Sequence, residues 1–275
     1  MNLKEALTYS QKKLENIGDS ARIDAELLIM HICACTKTTL YSHGETKLSA
    51  SQLETLDHFI HHRQQQQPIA YIIGHKAFWS SDFELSLATL IPRPATECLV
   101  AYMLAHAPYQ ACKVLDLGTG SGAIAISLAK ERPAWDITAV DLSAAALHMA
   151  MHNAKQQHCQ HIEFIQSNWF KRLSGRHFDI IISNPPYIAE HDIHLTQADV
   201  QHEPRLALVS KADGYFDLMH LITQSKKYLN PAGMLIVEHG YQQQDDILKI
   251  MRQAHFERVE GHLDLENLPR FCVAY

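Results

Sequence analysis

Apolar residues Leu3, Leu7, Leu14 and Ile17 keep helical spacing and Gly18 offers a stop, so the chain is predicted to open on an amphipathic helix. Ala25, Leu28, Ile29 and Ile32 stripe a second helix. Ser51 and Glu54 have the spacing of a capping box for a third, which carries Leu53, Leu56, Phe59 and Ile60 and ends at Pro68. The four glutamines before that proline read as a solvated helix end. The pattern then changes. IAYIIG (69–74) and KAFWSSDFELS (76–86) read as the strands of a small hairpin, with Phe83, Leu85 and Leu87 alternating. A helix resumes at Thr96 and runs to about His106.

From Lys113 the rhythm is strand, helix, strand, helix: KVLDLG, SGAIAISLAKER, DITAVDLS, AAALHMAMHNAKQQ. IEFIQS, FDIIISN and GMLIVEHG give three more strands, with a helix near 214–229 before the last of them. A helix over 241–254 and the pair FERVEGHLD and RFCVAY complete the chain. Such alternation predicts an α/β fold with a mostly parallel sheet, helices on both faces, and an antiparallel edge from the closing pair. The expected organisation is a helical domain over 1–68, a β-hairpin connector over 69–92 and an α/β domain over 93–275.

Chemistry concentrates where strands end. Asp116 is followed by Leu117, Gly118, Thr119, Gly120, Ser121 and Gly122, a glycine-rich turn between a strand and a helix. Backbone amides there approach a ligand without Cβ interference, at a positive helix terminus. Asp141 ends the next strand, the position that reads ribose hydroxyls. Together they predict a nucleoside cofactor. The G-x-G-x-G spacing argues against a dinucleotide, whose fingerprint is G-x-G-x-x-G. The apolar run 178–182 ends in Ser183, Asn184, Pro185, Pro186 and Tyr187. Two prolines fix φ twice and push Asn184 out of helical space, so the backbone leaves the sheet stiffly with its carbonyls free.

Composition narrows the class. With 47% hydrophobic and 20% charged residues over 275 positions, the chain can bury a full core. A net charge of −6 gives no general pull toward nucleic acid or anionic membrane. In the first 75 residues the two signs nearly balance, which suits a protein-docking surface better than a nucleic-acid grip. The cysteines at 33, 35, 98, 112, 159 and 272 show no zinc or CxxC spacing and read as reduced thiols. No signal peptide or membrane span is apparent, so a soluble, cytoplasmic protein is expected. His58, His61 and His62 share a helical side without partner ligands, and no metal is expected. His191, Asp192 and His194 read as exposed loop residues. Arg93 and Glu97 flank a proline-rich turn, either as a domain-joining ion pair or as substrate contacts.

The glycine loop with Asp116 and Asp141 resembles the class I AdoMet-dependent methyltransferases, a Rossmann-like fold. With NPPY the resemblance sharpens to enzymes that methylate planar, conjugated nitrogens. Over nearly the whole chain it is similar to the release-factor glutamine methyltransferases of the HemK/PrmC type. QPIAYIIG followed by FW, TLIPRPATE, DLGTGSGAIAISLA, AVDLS, SNWF, SNPPYI, EPRLAL and VEHG carry that likeness. It implies S-adenosyl-L-methionine (AdoMet) as methyl donor, S-adenosyl-L-homocysteine as product, and the Gly-Gly-Gln glutamine of class I peptide release factors as substrate. It implies Gly118, Thr119, Gly120, Ser121, Gly122, Asp141, Trp169 and Asn184 for the cofactor. Asn184, Pro185, Pro186 and Tyr187 are implied for the glutamine, with Asn184, Pro185 and Tyr187 catalytic. Ala95 stands where that family usually has an acid, and Asn168 where an Asp is common. Asp264 and Arg270 match a late pair expected to be structural. Rival readings are a nucleic-acid base methyltransferase of the adenine N6 type, a non-catalytic binding protein keeping the fold, and, more remotely, an NAD-dependent oxidoreductase. Little chain follows Tyr187 beyond what the sheet needs, which leaves small room for a base-recognition insert.

Overall fold

The computed structural model describes residues 1–197 and 199–275. The chain forms two compact units, Met1–His75 with Thr196–His202, and Lys76–Leu195 with Glu203–Tyr275.

The first unit is helical. Helices Leu3–Leu14, Ala21–Ile32 and Ala50–Gln64 bury Leu3, Leu14, Leu28, Ile29, Leu56 and Ile60 in one cluster. The last of these helices is capped two residues earlier than expected. Ser49, not Ser51, makes the capping box, accepting from Gln52 N at 3.2 Å while the Gln52 side chain returns to Ser49 N at 2.9 Å. Residues 69–74 also differ from expectation: Ile69–Ile73 is a short helix, not a strand. Ile69, Ile72 and Ile73 fall at helical spacing on the core, Pro68 precedes the first turn, and Gly74 ends it in the left-handed region. The hairpin is therefore shorter, β1 (His75–Phe78) and β2 (Ser81–Glu84).

The second unit is the expected α/β fold. Its strands are β3 (Lys113–Leu117), β4 (Asp136–Asp141), β5 (Glu163–Gln166), β6 (Phe178–Ser183), β7 (Leu229–Glu238), β8 (Val259–Leu263) and β9 (Pro269–Ala274). They lie in the order β5-β4-β3-β6-β7-β9-β8, parallel except that β9 runs antiparallel to both of its neighbours. Alternate residues feed opposite faces. Val114, Ile180, Ile182 and Ile236 pack with Leu99, Met103, Ile124 and Leu128 of helices Glu97–His106 and Ala123–Glu131. Leu115, Leu117, Ile181 and Val237 pack with Leu218, Leu221, Ile247 and Met251 of helices Phe216–Ser225 and Gln244–Gln253. Apolar runs such as 180–182 are continuous because both faces are covered. No helix among the described residues is long and apolar enough to cross a membrane.

Candidate active site

Strand order reverses between β3 and β6, and an open α/β sheet takes ligands in the crevice outside the carboxyl ends at that point. Leu117 pairs with Ser183 there, and the buried Ser183 hydroxyl donates to the Leu117 carbonyl at 2.7 Å. The two strands are tied at their last residues. The glycine loop and the Asn184 segment therefore leave the sheet side by side.

Asp141, at the end of β4, is fixed by the loop it faces. Its Oδ2 accepts from Gly120 N at 2.9 Å and its Oδ1 from Ser143 N at 2.8 Å. Burial pushes its carboxyl up, and the amides of Ser143, Gly120 and Leu142 pull it back. Gly120 has φ +57°, and a Cβ added there would meet nothing within 4 Å, so that side of the loop faces open space. Behind the loop, Thr119 donates its hydroxyl to Asp116 Oδ2 at 2.6 Å. Asp116 is fully buried; burial pushes its carboxyl up to about 7, the Asp141 charge adds to this, and the Thr119 hydroxyl and Ala125 amide oppose it. The Ser121 carbonyl accepts from Asn153 Nδ2 at 2.9 Å, and the same amide is bonded to both backbone groups of Glu84. One buried asparagine thus pins the loop to the hairpin.

Trp169 closes the loop from the side. Its ring lies where a Cβ on Gly118 would approach to 3.5 Å, and its Nε1 donates to Asp217 Oδ1 at 3.1 Å. Asp217 Oδ2 in turn accepts the Ser210 hydroxyl at 2.6 Å. Trp169 holds φ +48°, a conformation costing a non-glycine residue on the order of 1–3 kcal/mol.

Asn184 Nδ2 donates to Thr96 Oγ1 at 3.1 Å, and Thr96 donates to Glu238 Oε2 at 2.7 Å. Tyr187 donates its hydroxyl to Glu238 Oε1 at 3.1 Å. Burial pushes Glu238 up, and the Thr96 hydroxyl and the Arg270 charge draw it down. Tyr187 is pushed up by burial and by the Glu238 charge. Among the described residues, none donates a hydrogen bond to the Asn184 side-chain oxygen or the Pro185 carbonyl.

Gly118, Gly120, Asp141, Asn168, Trp169, Asn184 and Pro186 line one cavity of 470 Å³. Pro204, Leu206 and Ala207 of the EPRLAL segment, with Val209 just after it, form part of its wall. This stretch is tied to Ile188, the residue after the tetrapeptide, by Ile188 N to Leu208 O at 3.0 Å and Ser210 N to Ile188 O at 2.9 Å. Thr119, Ser121, Gly122, Pro185 and Tyr187 are not among the cavity's lining residues. A wider cavity of 690 Å³ lies at the opposite, amino edge of the sheet and holds none of these residues. Two of its carboxylates are committed: Glu163 is gripped at both oxygens by Arg176, and Asp179 accepts from Lys113 N and Asn230.

Arg93 and Glu97 do not pair with each other: Arg93 pairs with the buried Glu203, and Glu97 accepts from Trp79 N at 2.8 Å. Glu203 also accepts from Ile91 N at 3.1 Å, so it clamps the LIPRP turn. Arg270 and Asp264 form an ion pair at 2.9 Å. His191 and His194 are exposed, Asp192 half-buried. No group of three or more side chains suited to a metal ion occurs among the described residues. Sequence reasoning gave no role to Thr96, Glu203, Asp217 or Glu238. Three of them sit inside quoted segments (RPATE, EPRLAL, VEHG), but their partners are distant in sequence.

Two family models match, the PrmC N-terminal domain over residues 5–74 and the methyltransferase small domain over residues 93–262. Among curated proteins, release factor glutamine methyltransferases are similar along most of the chain. That of Escherichia coli (strain K12) is 43% identical, covering 98% of this chain and 96% of the relative. That of Salmonella typhimurium is 45% identical with 88% of each covered, and that of Coxiella burnetii 38% identical over 100% and 99%. Among solved structures, the fold is shared with a ribosomal protein L11 methylase from Lactobacillus delbrueckii (TM-score 0.52, 21% identity, 68% of this chain and 81% of that one). It is shared also with a methyltransferase from Pyrococcus furiosus (TM-score 0.54, 16% identity, 72% and 90%).

Proposed function

The chain belongs to the release factor glutamine methyltransferases, and we propose that it methylates the side-chain amide nitrogen of the Gly-Gly-Gln glutamine in class I peptide release factors, with AdoMet as donor. The nucleic-acid and non-catalytic readings are not favoured by relatives this similar.

The residues of the 470 Å³ cavity fit AdoMet. The open side of Gly120 leaves room for the amino-acid end, Asp141 offers acceptor oxygens to ribose hydroxyls, and Trp169 offers a fixed aromatic edge to the adenine. Asn168 is exposed at the rim, where its side-chain oxygen can take an adenine amine. When bound, AdoMet supplies an electrophilic methyl group on a sulfonium sulfur. An amide nitrogen attacks poorly because its lone pair is delocalised into the carbonyl. The chain's task is to aim that lone pair and to stabilise the positive charge that grows on nitrogen.

One observation carries the reading. The Asn184 side-chain oxygen and the Pro185 carbonyl are two acceptors without a donor among the described residues, on a stiff segment beside the glycine loop. A primary amide brings two N–H donors to such a pair. Once methylated, the nitrogen is acidic enough to lose a proton to water, so no side-chain base is needed.

The helical unit is proposed to dock the factor, and a cytoplasmic location belongs to the same reading. The test is incubation with AdoMet and a class I release factor, then peptide mass spectrometry. A methyl group on the Gly-Gly-Gln glutamine is expected. Methyl transfer to DNA or RNA offered in parallel, with none to the factor, would overturn the proposal.

A further inference from the structure

We propose that Glu238, acting through Thr96, is a positioning residue that fixes which end of the Asn184 amide faces the substrate. The inference rests on the methyltransferase reading above and concerns the same site.

A hydroxyl carries one proton. Thr96 spends its proton on Glu238 Oε2 at 2.7 Å, so toward Asn184 it offers only lone pairs. The Asn184 group at 3.1 Å must then be its NH2 end, and the side-chain oxygen must point the other way. Without that constraint the two ends of an amide are nearly the same shape. With the NH2 end toward the substrate, Asn184 would set donor against donor and the attacking nitrogen would lose an acceptor. Glu238 is suited to the task because a carboxylate accepts only. Its second oxygen takes the Tyr187 hydroxyl at 3.1 Å, so one buried group orients two residues of the tetrapeptide.

Burial pushes the Glu238 carboxyl up, and two hydroxyls and two guanidinium groups arranged around it oppose that push. Glu238 is 1% exposed, and besides the two hydroxyls it lies in the field of Arg270 and Arg93. Each arginine has its own carboxylate, Asp264 and Glu203, which holds the guanidinium in place. The three elements that meet here are the turn before helix Glu97–His106, the end of β6 and the end of β7. None is adjacent to another in sequence. This explains why RPATE, NPPY and VEHG read as separate segments along the chain while serving one acceptor.

Three variants test the assignment in the full-length enzyme, with single-turnover methylation of a release factor, AdoMet affinity by calorimetry and melting temperature measured on the same samples. Thr96→Val keeps the shape and removes the relay; the single-turnover rate should fall at least tenfold, with AdoMet affinity changed less than threefold. Thr96→Ser restores a hydroxyl and should recover most of that rate. Glu238→Gln, nearly isosteric, can donate where the carboxylate only accepts, and should fall as Thr96→Val does. A merely structural role predicts that Thr96→Val melts lower with a normal rate per folded molecule, and that result overturns the inference. So does a Thr96→Ser variant as slow as Thr96→Val. If wild-type enzyme methylates no release factor, the functional reading itself fails, and that outcome is separate from any difference among variants.

Discussion

At the scale of single residues, the site is a set of strand-end groups whose other hydrogen bonds are already made. Asn184 is the sharpest case of the proposed mechanism, in which its side-chain oxygen takes a substrate N–H as charge develops on the nitrogen. Asn184→Ala should lower kcat by about 10²-fold or more, the scale of losing one preorganised electrostatic partner. AdoMet affinity should move less, since Asp141 keeps its bonds to Gly120 and Ser143. Tyr187→Phe should be milder than Tyr187→Ala, because the ring stays while the Glu238 bond goes. Normal single-turnover chemistry in a merely destabilised Asn184→Ala would remove that residue from the active site. A second residue-scale prediction concerns His239, fully buried between the Gly240 carbonyl at 2.9 Å and Cys272 Sγ at 3.3 Å. Burial lowers its imidazole from 6.5 to about 4. The unfolded chain therefore binds a proton first as pH falls, so stability is present above pH 6.5 and is lost progressively toward pH 4. The loss should approach about 3 kcal/mol at the lower end. Asp116, raised by burial, acts in the opposite sense as pH rises from 3.8 to about 7. Comparison with His239→Gln isolates the histidine: urea midpoints of wild type should fall more steeply with acid than those of the variant, and equal slopes would reject the assignment. The site residues legible in the sequence were those at strand ends, where chain order alone announces the position. Thr96 and Glu238 were not, because their significance lies in pairing with residues 88 and 51 positions away.

At the scale of elements, the sheet was readable because continuous apolar runs alternating with helical stripes leave few other architectures. The errors were local and have physical causes. Residues 69–73 carry three isoleucines and a tyrosine, all strand-favouring types, yet their one-face spacing and the Pro68 and Gly74 brackets win once the helical core is there to receive them. At helix Ala50–Gln64, Ser49 with Gln52 and Ser51 with Glu54 both satisfy the capping pattern. The earlier pair adds helical residues and keeps Leu48 and Leu53 together in the cluster. The loop after NPPY supplies an element-scale prediction. Gly214 holds φ +89°, and a Cβ there would sit 2.3 Å from the Tyr187 carbonyl oxygen, which Gln243 Nε2 also contacts at 3.2 Å. The two nearest atoms are backbone, so no flexible side chain can yield to relieve the contact. Gly214→Ala should cost about 2–4 kcal/mol and slow methyl transfer by shifting Tyr187. Gly175 has φ +76° but open space around it, so Gly175→Ala should cost only about 1 kcal/mol and leave turnover alone. Equal losses in the two variants, read from urea melts, would show that the close approach at Tyr187 is not what requires glycine.

At the scale of the whole molecule, the chain enters the α/β unit at Lys76, leaves it after Leu195, and returns at Glu203. The excursion belongs to the helical unit through Arg63. Its Nε donates to the buried Asp24 and its Nη1 to Asp199, each at 2.7 Å, and Nη1 also reaches the Gln67 carbonyl at 3.1 Å. Gln201 and His202 add bonds to Gln66 and Gln65. The helical unit is thus completed by a segment that lies, in chain order, between the tetrapeptide and the EPRLAL wall of the cavity. A docking role for that unit separates two quantities that a purely structural role would not. A chain beginning at Lys76 retains every residue of the 470 Å³ cavity and should bind AdoMet within a few-fold of the full-length affinity. Its kcat/KM for an intact release factor should fall by at least about tenfold, the equivalent of roughly 1.4 kcal/mol of lost docking energy. A short peptide carrying Gly-Gly-Gln makes no use of a docking surface outside the cavity, so its slow methylation should be the same with either chain. Calorimetry with AdoMet and parallel rate measurements on the two substrates decide the matter. Equal losses on factor and peptide would make the helical unit a support for the loop and not a reader of the factor, and no loss on either would leave it without a part in the reaction.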